Sequence, residues 1–358
     1  MEAERGGAGP VDVLGGRDMS HPVDDRRFRA MGSDAHVIVV GHPYENAAPG
    51  GPLADRAVAR IAELEARWSR FLPDSEISEL NRRAGETVAV GADTVLLVTR
   101  AIEAWRLTGG GFDPTVLGAV LTAGYDRSFD EIVDRPSAPR RSTLLVGCTD
   151  IVVSAGAVRL PNDTGFDPGG IGKGLAADLV VHELLAAGAA GACVNLGGDL
   201  RVAGTGPDGG PWTVAIEHPW NDEPVALVGL ADGAVATSTT LRRTWLAGGT
   251  VRHHLIDPST GEPSDTDLNL VSVVTGQAWV AEVLAKAVLL RGAARAFDLL
   301  DPALANALTV DREGTVQATP GLAAHLGGVA LPSHIAVPAD DPTAPPREDP
   351  ISYEENLS

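Results

Sequence analysis

The periodicity of apolar residues changes near the middle of this chain. Before Gly188 they mostly recur at helical spacing, whereas after Ala192 short apolar runs alternate with glycine-rich turns. Strands that cluster in this way, instead of alternating strictly with helices, favour an α+β fold over a doubly wound parallel sheet. The predicted helices are Leu53–Trp68, Ala92–Leu107, a segment from the Gly169–Gly172 turn to Gly188, and Ala278–Leu290, with a last helix and strand within Ala293–Val310. The predicted strands are His36–Val40, Ala192–Leu196, Leu200–Ala203, Trp212–Glu217, Val225–Leu230 and Leu270–Thr275.

Both ends of the chain are predicted to be disordered tails. Residues 1–26 are rich in glycine and acidic residues, and residues 336–358 are rich in proline, aspartate and glutamate. Neither segment has enough apolar surface to offset the entropy lost on ordering. Residues 27–335 are therefore expected to form the folded body, as one large domain or as two closely packed lobes. The charged segment Arg127–Ser142 is expected to be a surface excursion between the lobes.

The charge of the chain restricts its partners. A formal net charge of -20 at pH 7 would repel polyanions over most of the surface, so neither nucleic acid nor an anionic membrane is an expected partner. The apolar runs are too short or too interrupted to span a bilayer, and residues 1–25 show no signal-peptide pattern. Cys148 and Cys193 stand in apolar surroundings, as buried thiols do in a reducing compartment. A soluble, cytoplasmic protein is therefore expected.

The segment Phe166–Asp178 is a glycine-dense turn that delivers Lys173 into the first turn of a helix. Backbone N–H groups, the positive end of the helix and an ammonium group would converge there, which suits a phosphate. The segment is not a P-loop, because Gly174 stands where a serine or threonine is needed, and Leu175 breaks the dinucleotide fingerprint. A helix start made flexible for close packing explains the segment equally well.

Other short strings carry little information individually. The glycines within Val194–Leu200 are typical of a hairpin turn. The string His253–Gly261 places His254 three residues before Asp257, which is more often a capped turn than a catalytic device.

In their order along the chain, however, these strings form a recognisable set together with Met31–Ser33, Asp74–Asn81, Gly111–Val116 and Ala236–Ser238. The set resembles the ApbE-type FAD:protein FMN transferases, a family of flavin transferases. The resemblance runs from about Phe28 to Leu308 and so covers nearly the whole folded body.

The resemblance implies that FAD lies in a cleft between two α+β lobes. It implies that FAD is cleaved at its pyrophosphate with the help of Mg²⁺, and that FMN passes to a threonine or serine of a flavin-accepting protein. Catalytic roles would fall to His254, Asp257 and Lys173, with His254 handling the proton of the incoming hydroxyl because its reference pKa is near neutral. The implied FAD contacts are Met31, Phe71, Gly111, Phe112, Asp113, Lys173, Asp178, Thr237, Ser238 and Ile256.

At the implied metal site the sequence departs from the family. The backbone carbonyl of Gly170 is retained, but the usual aspartate and the threonine four residues later are replaced by Glu282 and Lys286. A protonated amine cannot bind a metal ion. Three interpretations remain: Glu282 and Gly170 hold Mg²⁺ more weakly, the Lys286 ammonium occupies the place of the metal, or Glu282 and Lys286 are an ordinary i,i+4 pair on a solvated helix face.

A second departure lies at Ser238–Leu241, where the family usually has glycine and an aromatic residue after the Thr-Ser pair. It concerns the binding of the acceptor hydroxyl. Two alternatives to the transferase are an FAD pyrophosphatase that gives FMN and AMP, and an FAD-binding protein without turnover.

Overall fold

The computed structural model describes residues 21–42, 50–132, 147–247, 249–326 and 335–336. The α-helices in these ranges are α1 (Gly50–Trp68), α2 (Glu76–Arg82), α3 (Ala92–Leu107), α4 (Leu117–Thr122), α5 (Gly172–Ala186) and α6 (Ala278–Arg291). The strands are β1 (Val23–Ala30), β2 (Ser33–Val40), β3 (Thr87–Ala89), β4 (Val152–Ser154), β5 (Ala157–Arg159), β6 (Gly191–Leu196), β7 (Asp199–Gly204), β8 (Trp212–Ile216), β9 (Ala226–Leu230), β10 (Asp232–Thr239), β11 (Thr244–Ala247), β12 (Thr250–His253), β13 (Ile256–Asp257), β14 (Glu262–Pro263), β15 (Leu268–Thr275), β16 (Ala305–Asp311), β17 (Val316–Ala318) and β18 (Ile335–Ala336).

A nine-stranded sheet with the order β1-β2-β6-β7-β10-β15-β16-β17-β18 forms the centre of the fold. Its neighbouring strands are antiparallel except for β17 and β18. Successive side chains of a strand point to opposite faces, and in β2 Val37 and Val39 join one hydrophobic cluster while Ile38 and Val40 join another. Both faces of the sheet are therefore covered.

One face of the sheet is covered by helices. Helix α5 packs against α1, α6, β6 and β7, and α6 also packs against β10 and β15. Most of the residues in both helices are buried, because each lies between the sheet and other elements. The hairpin of β8 and β9 contributes Trp212 and Val228 to the cluster on the opposite face.

A small sheet with the order β3-β5-β4 packs beside α3. Val88 and Val158 from this sheet belong to the same buried cluster as Leu97 of α3 and Val37 of the large sheet. One continuous core thus joins the small sheet and α3 to the large sheet. The predicted α+β class is confirmed.

The N-terminal boundary differs from the prediction. Strand β1 begins at Val23, inside the segment predicted as a tail, because its backbone pairs with β2 and Arg26 donates a hydrogen bond to Asp55 at 2.9 Å. Of the predicted tails 1–26 and 336–358, residues 1–20 and 337–358 lie outside the described residues, as does the part of the predicted excursion that follows Ile132. The boundaries of the domain otherwise stay predictions.

Two further observations concern the predicted state of the cysteines and the predicted lack of membrane-spanning segments. Cys148 and Cys193 are free and buried, as expected, and burial raises the pKa of both thiols. Within the described ranges, no helix has both the length and the apolar character needed to cross a bilayer.

Candidate functional site

The glycine-dense turn before α5 presents Lys173 to a cleft. Asp167 opens the turn, and its Oδ1 accepts a hydrogen bond from the N–H of Gly169 at 2.9 Å. Pro168–Gly170 forms one 3-10 turn, after which α5 starts at Gly172. Lys173 therefore stands in the first helical turn, where unpaired N–H groups carry partial positive charge. The predicted lysine-bearing helix start is confirmed.

Two glycines allow this turn and α5 to approach their neighbours closely. A Cβ on Gly170 would lie 2.5 Å from Cε2 of Phe112 and 3.2 Å from Cδ of Lys286. A Cβ on Gly174 would lie 2.4 Å from the carbonyl oxygen of Ala278, at the start of α6. The absence of side chains at these two positions thus lets α5 and α6 face each other across one site.

Glu282 of α6 is the centre of that site and has no exposed surface. Its Oε2 accepts a hydrogen bond from the N–H of Gly174 at 2.8 Å. Its Oε1 lies 3.2 Å from Nζ of Lys286 and 3.5 Å from Nζ of Lys173. Lys173 also forms an ion pair with Asp199 at the start of β7. The interpretation of Glu282 and Lys286 as a pair on a solvated helix face is therefore wrong.

The protonation of this cluster follows from burial and mutual charge. Burial alone would raise the pKa of Glu282, but the ammonium groups of Lys173 and Lys286 and the N–H of Gly174 outweigh it and lower the pKa. Burial lowers the pKa of Lys173 to about 8, although Glu282 acts in the opposite direction. Glu282 is thus ionised at neutral pH, and Lys173 loses its proton more readily than an ordinary lysine.

The cleft consists of three adjoining cavities with volumes of 530, 200 and 70 Å³, which we call the wide, middle and narrow cavities. Gly169 borders all three. Lys173 and Arg243 border the wide and middle cavities, and His254 and Lys286 border the middle and narrow ones. The volume of the wide cavity alone lies in the usual range for small-molecule sites.

The wide cavity has an aromatic wall. Met31, Phe71, Tyr125 and Phe129 line it, so two of the predicted flavin contacts, Met31 and Phe71, are in place to meet a ligand. The guanidinium carbon of Arg70 lies 4.1 Å from the centre of the Phe71 ring and 4.8 Å from that of Tyr125. Planar faces of this kind suit a flat, polarisable ring system.

The middle cavity is cationic although the chain as a whole is strongly acidic. The basic residues on its wall outnumber the acidic ones: they are Arg29, Lys173, Arg242, Arg243 and Lys286, against Asp34 and Asp199. The predicted contacts Thr237 and Ser238 also line it. Clustered cations and hydroxyl donors of this kind can hold the oxygens of a phosphate or diphosphate.

The narrow cavity is bordered by Gly111, Phe112, Asp113 and Ile256, four of the predicted contacts. Oδ1 of Asp113 accepts hydrogen bonds from the N–H and hydroxyl of Thr115 at 2.7 and 2.6 Å. Burial nevertheless raises the pKa of Asp113. Asp113 therefore combines a fixed orientation with a weakened preference for the charged form.

His254 stands between the middle and narrow cavities with one nitrogen unused. Among the described residues, its buried Nδ1 finds no hydrogen-bond partner. Its ring packs edge-on against Tyr125 at 6.1 Å. Burial lowers the pKa of His254 well below 6.5, and the charges of Arg243 and Lys286 lower it further. A neutral imidazole that borders a ligand cleft can accept a proton there.

Asp257, predicted to act with His254, has a different position. Its Oδ1 accepts hydrogen bonds from the N–H and hydroxyl of Ser259 at 2.8 and 2.7 Å, which closes the turn after β13. Among the described residues, those that line the three cavities do not include Asp257. This placement is that of a capped turn, and the catalytic role of Asp257 stays a prediction.

Asp178, predicted to contact FAD, is also placed elsewhere. Its two carboxylate oxygens accept hydrogen bonds from the N–H groups of Ala278 and Trp279 at 2.8 and 2.9 Å, and Arg201 lies 3.3 Å from Oδ1. Burial raises the pKa of Asp178 to about 6. This carboxylate satisfies the first backbone donors of α6 and so holds α6 against α5.

Several basic residues of the cleft escaped the sequence analysis, among them Arg70 and Arg243. Arg70 pairs with Asp167 at 3.3 Å and donates to the carbonyl oxygen of Tyr125 at 3.0 Å. Arg243 donates to the carbonyl oxygen of Gly32 at 3.0 Å. A signal was present for Arg243, since two adjacent arginines follow the unusual Ser238–Leu241 string in a strongly acidic chain.

The cluster around Glu282 does not fit a divalent cation. Such ions require several oxygen ligands, whereas both oxygens of Glu282 already interact with N–H or ammonium groups and Lys286 offers no lone pair. Among the described residues, no group of three or more His, Cys, Asp or Glu side chains could hold a metal.

Comparison with known proteins agrees with this architecture. The sequence model of the ApbE family matches residues 31–309. An FAD:protein FMN transferase of Vibrio cholerae is 28% identical over 241 residues, 66% of this chain and 72% of that protein. One of Treponema pallidum is 30% identical over 249 residues, 63% of this chain and 68% of that protein. The crystal structure of the ApbE protein from Thermotoga maritima shares the fold, with a TM-score of 0.76, 24% identity and coverage of 85% of this chain and 99% of that one. This chain belongs to the ApbE family.

Proposed function

We propose that this chain is an FAD:protein FMN transferase, which cleaves the FAD pyrophosphate and attaches FMN through a phosphoester to a threonine or serine of a target protein. Family membership and the names of the relatives in Vibrio cholerae and Treponema pallidum support the proposal. The observation that carries it is the adjacency of an aromatic cavity, a cationic cavity and the neutral imidazole of His254.

The three cavities match the parts of FAD in chemical character. The aromatic wall with Phe71 and Tyr125 suits the isoalloxazine ring, and the cations of the middle cavity suit the diphosphate. Lys173 borders both cavities. In this pose the lysine neutralises negative charge that develops on the phosphoryl oxygens, which is the principal requirement of phosphoryl transfer.

In the transfer step, the acceptor hydroxyl oxygen forms a bond to the FMN-side phosphorus. The bond between this phosphorus and the bridging oxygen breaks, and AMP leaves with the bridging oxygen. The hydroxyl proton passes to the imidazole of His254, which borders the middle and narrow cavities and is neutral at pH 7. Magnesium has no step in this scheme, because the groups around Glu282 do not fit it.

The test is incubation of the purified chain with FAD and a flavin-accepting protein domain. The transferase should leave covalent flavin fluorescence on the acceptor in a denaturing gel and release AMP. An acceptor whose threonine or serine is changed to alanine should stay unlabelled. Labelling that fails, while an established flavin transferase labels the same acceptor, would count against the proposal.

The same experiment separates the two alternative functions. A pyrophosphatase would release free FMN and AMP without any acceptor. An FAD-binding protein without turnover would bind FAD and leave it intact. The cytoplasmic location, the absence of a nucleic-acid partner and the identity of the acceptor protein stay predictions, and cell fractionation and co-purification would test them.

A further inference from the structure

Lysine is used at two positions only in this chain. Of its 28 basic residues other than histidine, all are arginines except Lys173 and Lys286. The two lysines are separated by more than a hundred residues in sequence, yet both ammonium groups lie beside the same atom, Oε1 of Glu282. An ammonium is a compact point charge, in contrast to the broad, planar guanidinium group of arginine. The site thus combines both of the chain's compact cations.

The fold fixes the positions of these two cations. Lys286 follows Glu282 by one helical turn, so the two side chains share one face of α6. Lys173 reaches the same carboxylate from α5 and is also paired with Asp199. Both lysine side chains are mostly buried, with 16% and 14% of their surfaces exposed. The cluster of two lysines and two carboxylates is therefore balanced in charge before any ligand binds.

A divalent cation cannot join this cluster without displacing part of it. Bound to Oε1 of Glu282 at about 2.1 Å, it would lie within roughly 6 Å of both lysine Nζ atoms. Two ammonium groups at that distance repel a divalent ion in a partly buried site. The other oxygen, Oε2, is occupied by the N–H of Gly174.

The ammonium of Lys286 is placed where it can neutralise the charge of a diphosphate, as a divalent metal ion would. Lys286 borders the middle and narrow cavities beside His254, and its Cδ is the close neighbour of Gly170. An ammonium has three N–H donors, and Glu282 accepts one of them. The remaining donors can serve phosphoryl oxygens.

We propose that Lys286 takes the place of a divalent cation, so that this chain binds the diphosphate of FAD without a metal ion. The inference rests on the proposed function for the identity of the ligand. It concerns binding, and it can be tested by measurements that do not require turnover.

The first measurement is FAD affinity, followed by the quenching of flavin fluorescence, in EDTA and in millimolar Mg²⁺. The dissociation constants should agree within about twofold. In parallel, electron paramagnetic resonance of Mn²⁺ mixed with the free protein, with and without FAD, should show no protein-dependent loss of the free-ion signal. An FAD affinity that requires Mg²⁺, together with stoichiometric Mn²⁺ binding, would overturn the inference.

Variants of Lys286 give an independent test. Lys286→Met keeps most of the length of the side chain and removes its charge, and it should weaken FAD binding by about tenfold or more. Arg295→Ala is the matched control, because it removes an exposed cation beyond the end of α6. Melting temperatures confirm that each variant is folded. Equal FAD affinity of Lys286→Met and the unmodified chain would contradict the proposal.

The reverse exchange should create a metal site. Glu282→Asp combined with Lys286→Thr removes one ammonium and supplies a second oxygen ligand. This double variant should bind Mn²⁺ and regain FAD affinity when Mg²⁺ is added. If FAD binds neither to the unmodified chain nor to any variant under any condition, the proposed function itself fails. If FAD binds to the unmodified chain only with Mg²⁺, the function stands and the metal-free binding is wrong.

Discussion

Gly174 of α5 and Ala278 of α6 are in backbone contact. A Cβ on Gly174 would lie 2.4 Å from the carbonyl oxygen of Ala278, and the N–H of Gly174 donates to Glu282 one turn further along α6. This contact brings Lys173, the residue before Gly174, beside Glu282. The distance between α5 and α6 thus sets the geometry of the charged cluster.

Gly174→Ala should therefore disturb stability and ligand binding together. Overpacking of this kind costs about 1–3 kcal/mol of the free energy of unfolding, measurable by urea denaturation, and the shift of α5 should also weaken FAD binding. Gly276→Ala is the control, because a Cβ at Gly276 would meet nothing within 4 Å. Equal effects of the two substitutions would contradict the importance of the contact.

The affinity for FAD should depend on pH through Lys173. Its pKa of about 8 results mainly from burial, and the protonated form is the one that attracts a diphosphate. Affinity should be constant below about pH 7 and fall above about pH 8, by at most tenfold per pH unit for one proton. Fluorescence titrations across this range measure the profile. Lys173→Arg should remove the fall above pH 8, and an unchanged profile in this variant would assign the titration to another group.

His254→Gln should separate binding from transfer. The amide can still fill the space beside Tyr125, so FAD affinity should change little, whereas the loss of the proton acceptor should slow transfer by roughly 10²–10⁴-fold. Because the pKa of His254 lies well below 6.5, the transfer rate of the unmodified chain should not decline from pH 7.5 to about pH 6.5 through protonation of this residue. Single-turnover labelling of the acceptor measures the transfer rates of His254→Gln and of the unmodified chain.

Asp257→Ala should have a small effect on transfer. The carboxylate of Asp257 closes the turn at Ser259 and does not border the described cleft, so loss of its hydrogen bonds should cost about 0.5–1.5 kcal/mol of stability. FAD affinity should stay within about twofold of the unmodified chain. A loss of transfer comparable with that of His254→Gln would restore Asp257 to the catalytic group.

Asp178→Ala should lower stability without a direct effect on the ligand. The substitution leaves the N–H groups of Ala278 and Trp279 without their acceptor and Arg201 without one ion pair, which should cost about 1–3 kcal/mol. Thermal unfolding measures the loss. At a temperature where the variant is folded, FAD affinity close to that of the unmodified chain would support the role of a helix cap, and a large loss of affinity would contradict it.

The sequence predicted the local elements well where the pattern alone determines them. Helix α3 spans Ala92–Leu107 as predicted, and the long helices α1, α5 and α6 begin or end within a few residues of their predicted bounds. The strand β10 was missed, because Asp232–Thr239 contains small and polar residues and acquires its strand structure from pairing with β7 and β15.

The site was only partly predictable because its contacts join distant parts of the chain. The motifs marked Lys173, His254 and Glu282, but nothing local shows that Glu282 is fully buried and shared by two lysines. Conversely, the family pattern could not show that the carboxylates of Asp178 and Asp257 accept hydrogen bonds from backbone N–H groups. Residues of one motif can thus have ligand-binding and structural roles side by side.

Mass spectrometry of a flavin-accepting domain after incubation with this chain and FAD in the presence of EDTA tests the central claim most directly. We expect the acceptor to gain the mass of one FMN less one water, as a phosphoester requires, while an equal amount of AMP appears. An acceptor that stays unmodified both with EDTA and with Mg²⁺, while an established flavin transferase modifies it, would contradict the account of this cleft as an FMN-transferring site.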